Sequence, residues 1–134
     1  METTDIRVET NDRYEFVSIT KELTRAVRDS GVEEGVCLVS STHTTAAVTV
    51  NEDYDRDVPQ DLAAACRAFV GGLDVSFKHA EGNSDSHLLT SLFGQSQRLL
   101  VRGGVPDLGR WQGVFLAEFD GPRSRTVRVA VYPA

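Results

Sequence analysis

Hydrophobic positions recur along the chain with two periods, and the switches between them mark out the elements. Residues 5–10 (DIRVET) and 13–20 (RYEFVSIT) predict two short strands joined by the turn signal NDR. A helical period follows over 20–31 (TKELTRAVRDSG), with Thr20 as its cap, Gly31 at its end, and Leu23, Ala26 and Val27 on one face behind Ile19. GVCLVS (35–40) is continuously apolar, as a strand buried on both faces would be. TTAAVTVN (44–51) predicts another strand, and the polar NEDYDRD after it a loop. DVPQDLAAACRAFVGGL (57–73) predicts a second helix, capped by Asp57, with Pro59 in its first turn and a core stripe of Val58, Leu62, Ala65, Cys66 and Phe69. SDSHLLTSLFG (84–94) predicts a short third helix that ends at Gly94.

The remainder is strand. QSQRLLVRGG, WQGVFLAEFD and SRTVRVAVYPA follow in order, the last two joined by the tight turn DGPR. In the final strand Val127, Val129 and Val131 alternate with Arg128, Ala130 and Tyr132, so one face is buried. Strands in groups with helices between them predict a single α+β domain over 1–134, a largely antiparallel sheet covered by helices.

Composition narrows the function classes. The net charge is −6, which argues against binding a phosphate backbone. No apolar run approaches the ~20 residues of a membrane helix. The start METTDIRVETNDRYEF lacks the basic-then-apolar pattern of a signal peptide, so a cytoplasmic location is expected. Two cysteines, Cys37 and Cys66, make no disulfide framework and read as small buried hydrophobes.

The candidate chemistry lies in the three histidines. His79 and His87 share the run HAEGNSDSHLL, and His43 stands between two predicted strands beside Thr44 and Thr45. On the third helix Leu88, Leu89, Leu92 and Phe93 form one apolar arc, and His87 points away from it with Ser84, Thr90 and Ser91. Three imidazoles meeting at one point would make a catalytic-type metal centre with an open position. Unrelated roles at a surface, a cap and a strand end are the bland alternative. Glu118 falls on the same strand face as Gln112, Val114 and Leu116, where a carboxylate needs a partner. Its other reading is a strand-end side chain that reaches water. Arg123 and Lys78 suit phosphate, or stand as solvated side chains; Asn51 and Glu52 end a strand, where they serve as turn formers.

The segments HTTAAVTVNEDYDRDVPQDL, HAEGNSDSHLLTSLFGQS and GRWQGVFLAEFDGPR together resemble the hallmark segments of the YjbQ-like family, also called the secondary thiamine-phosphate synthase family. The resemblance runs in order over nearly the whole chain. It implies a compact α+β domain with a mixed, mostly antiparallel sheet and assembly as a homotrimer. It also implies a site around His43, His79 and His87, with Glu81, Asn83 and Asp85 between the last two; Ala47 stands where many relatives are expected to have glycine.

An enzyme joining an aminopyrimidine diphosphate to a thiazole phosphate must stabilise departing pyrophosphate. Under the resemblance the three histidines hold a divalent cation, zinc or magnesium, or bind the phosphate directly as imidazolium groups beside the third helix's N-terminus. Thr44, Thr45, Asn83, Ser84, Asp85 and Arg123 would contact the phosphorylated substrate, and Glu81 or Glu118 would orient a histidine or act as base. A metal-dependent hydrolase and a non-catalytic small-anion binder are the competing readings.

Overall fold

The computed structural model describes residues 1–134. Two antiparallel sheets face each other. One holds five strands, β1 (Thr4–Glu9), β8 (Ser124–Pro133), β3 (Glu34–Ser41), β5 (Ser96–Arg102) and the two-residue β6 (Val105–Pro106), in that spatial order. The other holds β2 (Glu15–Ser18), β7 (Gln112–Glu118) and β4 (Ala46–Glu52), with β7 central. Every ladder is antiparallel, so the mixed sheet that the family resemblance implied is replaced by two purely antiparallel ones.

The core between the sheets follows from strand alternation. Val39 of β3, Val127 and Val129 of β8, Val48 of β4, and Val114 and Leu116 of β7 all point into it. Helix α1 (Thr20–Asp29) adds Leu23 and Val27, both fully buried. Truncating Leu23 to alanine would cost about 2–5 kcal/mol. The opposite face of the three-stranded sheet carries Phe16, Ala47, Phe115 and Ala117, covered by Cys66 of α2 (Asp57–Gly71) and Leu89 of α3 (Ser84–Phe93). Strand β7 is therefore buried on both sides. Both cysteines are free and buried, and burial pushes their thiols up.

The structure corrects several local expectations. The turns NDR and DGPR do not close hairpins, because β1 and β8 lie in one sheet while β2 and β7 lie in the other. The two connections instead run side by side, paired to each other at the corner between the sheets. The Thr10 N–H donates to the Arg123 carbonyl at 2.9 Å, and the Gly121 N–H to the Arg13 carbonyl at 3.2 Å. This approach needs glycine: a Cβ on Gly121 would lie 2.3 Å from the Asp12 carbonyl oxygen.

Neither expected cap acts as one. Thr20 and Asp57 are the first helical residues, and no side chain caps α1 or α2. The Thr20 hydroxyl is drawn instead to β7, where it accepts from the Val114 N–H at 3.0 Å. Of the stripe expected on α2 only Cys66 is buried, and Phe69 and Ala65 face outward, since the helix lies at the sheet's margin. In α3 the buried face is Ser86, Leu89 and Thr90, so Leu92 of the expected arc is exposed.

Candidate functional site at the start of helix three

The loop before α3 and the corner between the sheets meet, and a connected polar strip runs between them. At one end the His79 and His87 rings stand edge to face, 5.5 Å between centroids. His79 Nε2 lies 3.9 Å from Glu81 Oε2, and the His79 side chain is 43% exposed. The Asn83 amide donates to Glu81 Oε2 at 3.4 Å and to Asp120 Oδ2 at 2.8 Å. Asp120 in turn takes Arg123 Nη2 at 2.9 Å, while Arg123 Nε donates to the Asp120 carbonyl at 2.7 Å. Sequence-distant groups thus form one line from the histidine pair to Arg123.

No side chain caps α3, and Asn83, at the cap position, turns its amide to Asp120 and leaves its buried Oδ1 without a donor. The start of α3 is thus left without a side-chain cap beside the two imidazoles, its Ser86 and His87 N–H groups donating to the Asn83 carbonyl.

The strip is anchored by two ion pairs. Asp85 receives Arg13 Nη2 at 2.9 and 3.0 Å and the Tyr14 hydroxyl. Burial alone would raise the Asp85 carboxyl, but the bonds from Tyr14 and Arg13 outweigh it and hold it below the usual carboxylate range. Glu118 is fully buried. It takes Arg125 Nε at 2.8 Å, the Thr10 hydroxyl at 2.8 Å and the Asp120 N–H at 2.8 Å. Burial raises the Glu118 carboxyl; the Arg125, Asp120 and Thr10 donors more than reverse that and keep it ionised. Glu118 is therefore a locked acceptor rather than a strand-end side chain in water. Arg125 also donates to the Thr45 hydroxyl at 2.9 Å.

The expected residues therefore divide. His79, His87, Glu81, Asn83 and Arg123 come together along the strip, with Ser84 at its helical end. Asp85, Thr45 and Glu118 serve internal bonds that build the corner and the α3 start. Thr44 is exposed and bonds to no other side chain.

His43 is engaged by β8 and lies within reach of the Arg123 and Arg125 charges. Its Nε2 accepts the Thr126 N–H of β8 at 2.8 Å, and burial, aided by Arg125 and Arg123 against the pull of Glu118, pushes its pKa down. No group of three or more His, Cys, Asp or Glu side chains within the chain is disposed to hold a metal ion. The residues present do not fit a zinc or magnesium ion within one chain.

Sequence reasoning missed Arg125, Asp120, Arg13, Tyr14 and Thr10. A signal for Arg125 existed: it shares the inward phase of Val127 and Val129 on β8, so an arginine there demands a buried carboxylate.

Comparison with known proteins places this geometry in a family. The description "UPF0047 protein YjbQ-like" matches residues 4–134. The chain belongs to the UPF0047 YjbQ-like family. A UPF0047 protein of Methanocaldococcus jannaschii is 41% identical over 125 residues, covering 93% of this chain and 90% of the relative. YugU of Bacillus subtilis, also a UPF0047 protein, is 36% identical over 121 residues, covering 90% and 92%. Among solved structures, a YjbQ/UPF0047 protein of Clostridium acetobutylicum superposes with a TM-score of 0.91 at 38% identity, covering 96% of this chain and 99% of that one. A protein of Sulfolobus solfataricus described as YbjQ-like gives 0.91 at 33% identity, covering 99% and 97%. In this YjbQ-like chain no helix is long and apolar enough to cross a membrane.

Proposed function

We propose that this chain binds a phosphorylated small molecule along the strip from His79 and His87 to Arg123, and that it carries out, at a low rate, a transfer of the thiamine-phosphate synthase type. The observation that supports this is the paired imidazoles beside the uncapped start of α3, tied through Asn83 and Asp120 to a half-exposed arginine. Imidazolium, guanidinium and helical N–H groups are donors suited to phosphate oxygens.

In the transfer, the thiazole nitrogen bonds to the pyrimidine methylene carbon while that carbon's bond to the diphosphate oxygen breaks. Negative charge grows on the departing pyrophosphate. The ring N–H groups of His79 and His87 would donate to it, and Arg123, braced by Asp120, would hold its far end. Glu81, 3.9 Å from the ring, would keep His79 oriented.

The second reading, a small-anion binder without turnover, draws on the locked state of Glu118, whose carboxylate is tied up by Arg125, Thr10 and the Asp120 N–H and is not free to act as a base. The test is incubation with the aminopyrimidine diphosphate and the thiazole phosphate, measuring thiamine phosphate. The expected result is product that His87→Ala reduces by at least roughly tenfold without loss of fold. Saturable binding of pyrophosphate without product would favour the binder, and neither binding nor product would refute both readings.

Assembly as a homotrimer belongs to the same proposal. Across the outer face of the five-stranded sheet, Tyr132, Val36 and Leu100 stand at one register level, 40%, 36% and 51% exposed. An apolar row spanning three strands suits burial against another copy.

A further inference from the structure

A second cleft opens between α2 and β2, lined by none of the residues just assigned to phosphate. Its volume is about 540 Å³, within the ~300–1,000 Å³ usual for small-ligand sites. Arg56, just before α2, and Gln60, Ala64 and Arg67 on its successive turns line it along one helical face. Its floor is aromatic, formed by Phe16 of β2 and Phe115 of β7, with Tyr14 at one end.

The charges around it are unusual in their arrangement. Arg56 and Arg67 line the helical side, while Asp12, Glu15 and Asp53 line the other. None of these five side chains takes part in any of the chain's ion pairs. The Arg67 guanidinium instead lies 5.1 Å from the centre of the Tyr14 ring. The Asp53 carboxylate is held in place by the Ser18 hydroxyl at 2.5 Å and the Thr20 hydroxyl at 2.8 Å. Gly113 leaves room for it, since a Cβ there would lie 2.3 Å from the Asp53 Cβ. Opposite charges thus face one apolar-floored cleft, positioned by other contacts and not closed on each other.

We propose that this cleft binds a small zwitterion, with a planar apolar body on Phe16 and Phe115, an anionic group at Arg67 and an amino group at Asp53. A polyanion would meet three carboxylates, which separates this ligand class from the phosphorylated molecule assigned to the histidine strip. Tyr14 links the cleft to that strip, because its ring lies under Arg67 while its hydroxyl donates to Asp85, in the first turn of α3.

The test is an NMR titration of the isotope-labelled full chain with para-aminomethylbenzoate, which carries both charges on one ring, with benzoate and benzylamine as single-charge controls. The expected result is saturable shifts of the Phe16, Ala64 and Phe115 amides, with each control binding roughly tenfold more weakly or worse. Ala64→Leu fills the cleft from an exposed helical position and keeps a good helix former. It and Arg67→Gln should each weaken the probe by roughly tenfold or more, whereas His87→Ala should leave it unchanged. No saturation at millimolar probe, equal response to benzoate, or indifference to Ala64→Leu would each overturn the proposal.

Discussion

The buried pair between Glu118 and Arg125 gives the sharpest stability prediction. Arg125→Met removes a side chain only 3% exposed and leaves Glu118, with no exposure, ionised against two neutral donors, the Thr10 hydroxyl and the Asp120 N–H. Breaking a buried pair from one side costs about 3–5 kcal/mol. That is a large part of the ~5–15 kcal/mol that holds a domain folded. Without the guanidinium, burial dominates and the Glu118 carboxyl rises above its unfolded value. A group raised in the folded state contributes stability below its unfolded pKa and loses it as pH rises. The variant should therefore gain stability, relative to the native chain, as pH is lowered from 7 toward 5. Glu118→Leu combined with Arg125→Met removes both charges, leaving the Thr10 and Asp120 donors short of an acceptor and the Thr45 oxygens short of a donor, for a net loss of about 1–2 kcal/mol. Urea unfolding followed by circular dichroism measures all these variants. A loss below about 1 kcal/mol for Arg125→Met, the range of an exposed pair, would refute the reasoning. So would a double variant as unstable as the two single losses added.

Asp85 and Glu118 are both held below their usual ranges, so their stabilisation is complete above the unfolded carboxylate values, about 3.9 and 4.3, and drains away as pH falls through the folded ones. Asp85→Asn should flatten the acid limb of a pH–stability curve, and an unchanged limb would count against the Arg13–Tyr14–Asp85 anchor. If the Tyr132–Val36–Leu100 row is covered by another copy, light scattering should give three times the 14.7 kDa of one chain, and Leu100→Arg should yield single chains.

The strands and helices were legible because each carries its own period. Alternation in β8 and the stripe on α1 need no knowledge of any partner. Pairing is another matter, since it joins residues a hundred positions apart. Nothing local in DGPR distinguishes a hairpin turn from a corner that passes β7 into one sheet and β8 into the other. Helix α2 misled for a related reason: its apolar positions exceed the surface the sheet margin offers, so Phe69 is left outside. His79 and His87 were legible together because only four loop residues and the first turn of α3 separate them. His43 was not, because its ring answers to Thr126 on a strand that comes late in the chain.

The corner also explains why polar residues collect where they do. When two paired strands leave one sheet for another, the ladder stops, and the backbone groups freed there must find side chains. The Thr10 hydroxyl accepts the Arg123 N–H, Glu118 accepts the Asp120 N–H, and Ser86 donates to the Phe119 carbonyl at 2.6 Å. Each of these bonds replaces a rung the ladder no longer supplies. Each also fixes a group that borders the strip: Arg123 and Asp120 on one side, and through Ser86 the start of α3 on the other. The same side chains that let the chain turn between sheets therefore set the spacing between Arg123 and the histidine pair. A substitution at Thr10, which touches neither histidine, should on this argument disturb phosphate binding by loosening Arg123, and its effect on binding should exceed that of an equally destabilising change in the α1 core.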